Sequence, residues 1–145
     1  MLFRKAISND IPQLIKFRKI LLDHEDNSSM DEAFRNYFNS SFSDKSLVVW
    51  VADDDGVVVS TVCFCICRFA PRFENPSGLV AYMTNVFTIP VYRRQGIVSK
   101  LITEAIDDLK AQGIGKILLH SSDMAKPMYE SLGFVEGKNY MSINI

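Results

Sequence analysis

The chain has 145 residues, 48% of them hydrophobic, 11% aromatic and 23% charged, with 7 glycines and 5 prolines. At roughly 100–200 residues per domain this predicts one domain over residues 1–145, and it excludes disorder, collagen-like repeats and a coiled coil. Lys and Arg number 16 against 17 Asp and Glu, a formal net charge of −1, so the basic excess of a nucleic-acid binder is missing.

Leu2 to Ile7 reads as an opening strand without the apolar core of a signal peptide. Ser8-Asn9-Asp10 then caps a helix with Pro12 in its first turn, and Ile11, Leu14, Ile15, Phe17, Ile20, Leu21 and Leu22 give it an apolar stripe ending near His24. A second helix is expected from Met30 to about Phe42, with Phe34, Tyr37 and Phe38 on one face. From Leu47 the pattern changes to strand. Leu47 to Ala52 and Val57 to Arg68 flank Asp53-Asp54-Asp55-Gly56, a hairpin signal.

The Val57 to Cys67 run contains Ser60 and Thr61 and falls short of the ~18 apolar residues that span a bilayer; no membrane partner is expected. Cys63, Cys65 and Cys67 share one strand face. No nearby histidine or fourth thiolate completes a tetrahedral zinc site, so no metal is expected. Because Val62, Phe64 and Ile66 make the other face apolar too, the strand reads as central and the cysteines as core. Three clustered thiols allow no disulfide framework, which points to a reducing, cytoplasmic setting.

Phe69 to Gly78 is a loop, Leu79 to Ile89 a strand stopped by Pro90, and Ile97 to Gln112 a helix ended by Gly113 and Gly115. Lys116 to His120 is a short strand and Asp123 to Leu132 a helix, after which strand residues close the chain through Ile145. The expected order is β-α-α-β-β-β-α-β-α-β, an α/β (α+β mixed) fold in which an antiparallel meander leads into a β-α-β unit.

The sharpest chemical signal is Ile89-Pro90-Val91-Tyr92-Arg93-Arg94-Gln95-Gly96-Ile97-Val98-Ser99-Lys100. A strand ends, a turn carries two arginines and a glycine, and a helix begins. Unpaired amides and the macrodipole make such a start an anion site suited to phosphate. No acidic residue occurs between Glu74 and Glu104, while Arg93, Arg94 and Lys100 supply positive charge. The alternative is an ordinary strand-to-helix turn with solvated arginines. The glycine pattern fits neither a P-loop nor a dinucleotide fingerprint.

This stretch resembles the acyl-CoA pyrophosphate loop of the GCN5-related N-acetyltransferases, (Gln/Arg)-x-x-Gly-x-(Gly/Ala). Arg93 and Gly96 match its first two fixed positions, and Val98 departs from the third. Met124 to Phe134 is similar to a second family segment, a Tyr followed four and five residues later by Gly-Phe, here Tyr129 and Gly133-Phe134. Phe3-Arg4-Lys5-Ala6, with Asp10 and Leu14 behind, looks like the family's opening.

The resemblance implies a mixed, mostly antiparallel sheet with helices on both faces and acetyl-CoA as co-substrate. Phe87, Thr88 and Ile89 would pair their backbone with the pantetheine arm, and the amides of Arg94, Gln95, Gly96, Ile97, Val98 and Ser99 would hold the pyrophosphate. Tyr129 would be the general acid that protonates the departing thiolate; by its type alone it also fits a packed helix tyrosine. Many relatives carry an Asn seven residues before that Tyr, where this chain has Ser122, whose hydroxyl has a shorter reach.

The implied reaction is direct attack of a primary amine on the thioester. An alkylammonium must first lose a proton, which costs roughly 4–5 kcal/mol at pH 7, and Glu74, Asp23 and Glu25 are unranked candidates to accept it. Those carboxylates and Asp26 suggest a cationic acceptor; a solvated helix end explains the cluster around His24 equally simply. His120 receives no role. Relatives often form homodimers, and no residue pattern here decides the oligomeric state. The alternative function is a non-catalytic acyl-CoA sensor or partner-binding module with the same fold.

Overall fold

Asp55 and Gly56 adopt positive φ, +52° and +87°, in the computed structural model, which describes residues 1–145. That is the geometry by which right-twisted strands meet across a two-residue turn. Asp53 Oδ1 accepts the Gly56 N–H at 2.7 Å and closes it. The turn joins β2 (Leu47–Asp54) to β3 (Val57–Arg68). β1 (Leu2–Lys5) pairs antiparallel with β2, and β4 (Leu79–Thr88) antiparallel with β3. β5 (Lys116–Leu119) joins β4 in parallel, giving the order β1-β2-β3-β4-β5.

β3 is central, as its two apolar faces predict. One face packs Val49, Val51, Cys63 and Phe87 against α1 (Ile11–Leu21) and α2 (Asp31–Ser43). The other packs Val62, Phe64, Ala81 and Met83 against α3 (Ile97–Ala111) and α4 (Lys126–Ser131). Phe17, Phe38, Phe64, Leu101 and Ile102 are fully enclosed, each worth about 1.5–3 kcal/mol of burial. The core reading of the cysteines holds completely only for Cys63, whose thiol burial pushes up to about 12; such a thiol is inert. Cys65 and Cys67 are half-buried.

The N-terminal strand is held by charge. Arg4 bridges Asp10 at 2.7 Å and Asp53 at 2.8 Å, and Asp10 also accepts the Ile7 N–H at 2.8 Å. The Arg4 hydrogen bond holds the Asp10 carboxyl below the usual carboxylate range. These charge-assisted bonds tie β1, the start of α1 and the β2–β3 turn together.

Several expected boundaries shift. β1 stops at Lys5 rather than Ile7, and α1 at Leu21 rather than His24, where Asp23 at φ +55° breaks it. α4 starts at Lys126, not Asp123. The closing strand does not form: Phe134 to Ile145 contains no strand, and Met141, Ile143 and Ile145 are exposed. Alternating residues make a strand only against a partner, and the four residues of β5 offer few ladder positions on its outer edge. The observed order is therefore β-α-α-β-β-β-α-β-α. No helix is long and apolar enough to cross a membrane.

Candidate active site

β4 and β5 run together only from Val80↔Lys116 to Met83↔Leu119. β4 then continues to Thr88 with no strand on that side. At the parting, Thr61 and Cys63 of β3 face Phe87 and Thr84 of β4, so β4 carries an extra residue, a bulge that bends the strand. Asn85 sits there at φ +49°. Its side-chain oxygen accepts from Arg18 of α1 at 2.8 Å, a contact that ties the helix to the bulge.

Beyond the bulge the backbone is partly committed. Ile89 donates to Val59 and accepts from Tyr92, both at 2.9 Å. Both backbone groups of Ile89 thus have a partner within the chain, and its carbonyl keeps one further lone pair that a cofactor arm could use. The Ser60 hydroxyl donates to the Phe87 carbonyl at 2.9 Å, and the Thr88 carbonyl accepts from Arg93 Nε at 3.0 Å. Because ladder bonds alternate, the Thr88 N–H faces away from β3, into the open edge.

The turn after β4 has Arg94 at φ +60° and Gly96 at φ +74°. Alternating backbone of this kind forms concavities of N–H groups. The first intrahelical bond of α3 runs from Lys100 N–H to the Gly96 carbonyl at 3.0 Å, leaving the Ile97, Val98 and Ser99 amides ahead of the ladder. No acidic residue opposes them in the first turn. A Cβ on Gly96 would meet nothing within 4 Å, so its glycine is required by positive φ and not by crowding from the protein. Val98 is helical and packs on the core.

Two of the three expected cations are turned back on the chain. Arg93 sits 5.9 Å from the Phe87 ring centroid, besides its bond to Thr88, and Lys100 lies 4.5 Å over Phe3. Arg94 remains exposed on the loop.

Tyr129 is buried in α4 against the core of β3, β4 and α3. Burial pushes its phenol above the ordinary value of 10, so it keeps its proton at neutral pH. Gly133, at φ +92°, ends the helix and lets Phe134 fold back, its ring 5.8 Å from that of Tyr129. The Ser122 hydroxyl accepts the Ala125 N–H at 3.3 Å in the turn ahead of this helix. A cavity of about 1350 Å³ along the outer side of β5 is lined by Tyr129, Phe134, Tyr82 and His120.

The acidic candidates sit on loops and turns rather than on β4 itself. Glu74 is exposed beside Arg72 at 3.6 Å, in a loop that Ser77 fastens to the Gly113 carbonyl at 2.7 Å. This is the start of β4, roughly 20 Å along the strand from Asn85 at ~3.3 Å per residue. Glu25 and Asp26 line a cavity of about 380 Å³ together with Lys16, Lys19 and Arg35, so their charge is locally offset. Three side-chain pairings were invisible in the sequence: Arg18 with Asn85, Tyr37 with Cys65 at 3.4 Å, and Tyr82 with His120.

The family model described as Acetyltransferase (GNAT) family matches residues 14–134. A curated relative, glucosamine 6-phosphate N-acetyltransferase of Trypanosoma brucei brucei, is 29% identical over 75 residues, covering 52% of this chain and 51% of the relative. That match thus spans about half the relative's length. A predicted acetyltransferase with acetyl-CoA from Clostridium acetobutylicum superposes with a TM-score of 0.88 at 29% identity, over 99% of this chain and 95% of the other. A GCN5-related N-acetyltransferase from Ralstonia eutropha JMP134 gives 0.85 at 21% identity, over 99% and 97%, a likeness of fold.

Proposed function

The chain belongs to the acetyltransferase (GNAT) family, and on that premise we propose that it transfers an acetyl group from acetyl-CoA to a primary amine. The observation that carries this reading is the unaccompanied edge of β4, which leads from the Asn85 bulge to the unpaired amides at the start of α3. The residues present fit the co-substrate. Thr88 offers an open-edge N–H to an amide-bearing arm, and Gly96, Ile97, Val98 and Ser99 offer their amides to a pyrophosphate, with Arg94 and Gln95 beside them. Phe87 lies buried beneath the same stretch, and Ser122 adds a hydroxyl before α4. The thioester supplies an activated acyl carbon.

Tyr129 holds its proton in a dry setting and gives it to the sulfur as the C–S bond breaks. A neutral phenol suits that task at pH 7. The acceptor is cationic in its resting state, as alkylamines are, and the amino sugar phosphate named for the trypanosomal relative is a reasoned first probe.

Acetyl-CoA at 100 times its Kd is expected to stabilise the fold by about 2.7 kcal/mol, a rise of roughly 5–10 °C in melting temperature for a chain this size. An unmoved melting curve at saturating acetyl-CoA would remove the co-substrate assignment and the function built on it.

A further inference from the structure

Cys65, Tyr82 and Leu118 lie in register across β3, β4 and β5, on the face that carries α1 and α2. The helices cover only part of this row. Tyr37 of α2 reaches Cys65, whereas Leu118 stands exposed. Tyr82 is half-buried and precedes the Asn85 bulge by three residues. His120, just beyond β5, is on the open part of the row, and its Nδ1 is hydrogen-bonded to the Tyr82 hydroxyl. Tyr140 packs edge-on against the imidazole, ring centroids 4.4 Å apart at 73°. The ring is thus held on two sides, and both Tyr82 and His120 line the cavity that Tyr129 lines.

We propose that Tyr82 and His120 form the relay that takes the proton from the acceptor amine, an inference that rests on the acetyl-transfer reading above. The resting ammonium first gives one proton to the Tyr82 oxygen while the Tyr82 proton passes to His120 Nδ1, and the imidazolium later releases it to water. The freed amine nitrogen then bonds to the acetyl carbon as the C–S bond breaks and Tyr129 gives its proton to the sulfur. The second proton, shed by the nitrogen on becoming an amide, returns Tyr129 to its phenol through solvent. Imidazole is the side chain suited to this exchange at neutral pH. The charged groups lining the same cavity are Lys110, Lys116, Asp123, Lys126, Glu130 and Glu136. They are balanced in sign, and Lys126 and Glu136 pair with each other at 2.8 Å. Of the carboxylates considered from the sequence, Glu74 lies at the far end of β4, and Glu25 shares a cavity with Lys16, Lys19 and Arg35.

The test measures kcat/KM against pH for the full chain with glucosamine 6-phosphate and ethylamine as probes, and with hydroxylamine, which is largely unprotonated at neutral pH. Wild type should lose activity on the acid side, where a protonated imidazole can no longer accept the relayed proton. His120→Gln should lose that limb and about 100-fold of the neutral rate. Tyr82→Phe should cost as much, and the double variant little more, since the two act as one unit. Hydroxylamine turnover should fall less than about tenfold in the same variants, and added imidazole should restore part of the rate to His120→Ala. A His120→Gln variant with the wild-type pH profile, or one equally impaired towards hydroxylamine, overturns the relay while leaving the transfer reading intact. A wild type that acetylates none of the three probes overturns both, so the two failures are told apart by wild-type turnover.

Discussion

Tyr129→Phe is expected to lower kcat by about 10²–10⁴-fold while leaving acetyl-CoA affinity nearly unchanged. The substitution removes one hydroxyl and keeps the ring that packs against Phe134 and the α3 face of the sheet. Stability should therefore hold, and the loss should appear in turnover alone. The sign of the pH effect follows from burial. A phenol pushed above its ordinary value is fully protonated below it, so the acid stays competent across neutral pH and the variant should be impaired throughout that range. Steady-state kinetics with a binding titration separates the two parameters. Unchanged turnover would make Tyr129 a packing residue and the chain an acyl-CoA binder without chemistry.

Gly96→Val should weaken CoA binding by well over tenfold, and Val98→Ala by less than tenfold, roughly 1.4 kcal/mol. The two positions differ in backbone conformation. Gly96 stands at φ +74°, where a side chain costs about 1–2 kcal/mol even before branching at Cβ. Relief of that strain would move the turn and misdirect the Ile97, Val98 and Ser99 amides that follow. Val98 is already in the right-handed helix with its side chain on the core, so its amide direction survives truncation to alanine. Calorimetric titration of both variants decides the matter. Equal losses, or a gain of orders of magnitude at position 98, would contradict this account of the loop.

The elements legible in the sequence were those specified by local chemistry. β3 was bounded correctly at both ends, because an Asp-Gly turn precedes Val57 and a proline-rich loop follows Arg68. The strand–turn–helix at 88–97 was equally plain, since Pro90 stops a strand and Gly96 starts a helix. Long-range effects were not legible. The bulge that opens β4 depends on an extra residue relative to β3, and Asn85 owes part of its hold to Arg18, 67 residues away. Residue type also says little about direction. Arg93 and Lys100 were counted as phosphate cations, yet one binds the Thr88 carbonyl and the other covers Phe3. Met141, Ile143 and Ile145 alternate as a strand would, but alternation does not provide a partner. His120 had no visible role because Tyr82, which gives it one, lies 38 residues earlier.

The measurement that bears most directly on the central claim is a product balance. The chain is incubated with acetyl-CoA and a panel of primary amines, glucosamine 6-phosphate among them; free thiol is followed in time, and the amines and the protein are weighed by mass spectrometry. Direct transfer predicts thiol release that depends on the amine, an equal amount of N-acetylated amine, and no acetyl group retained on the chain. Acetyl-CoA that binds but is consumed with no amine, or an acetyl group that accumulates on the protein itself, would contradict it.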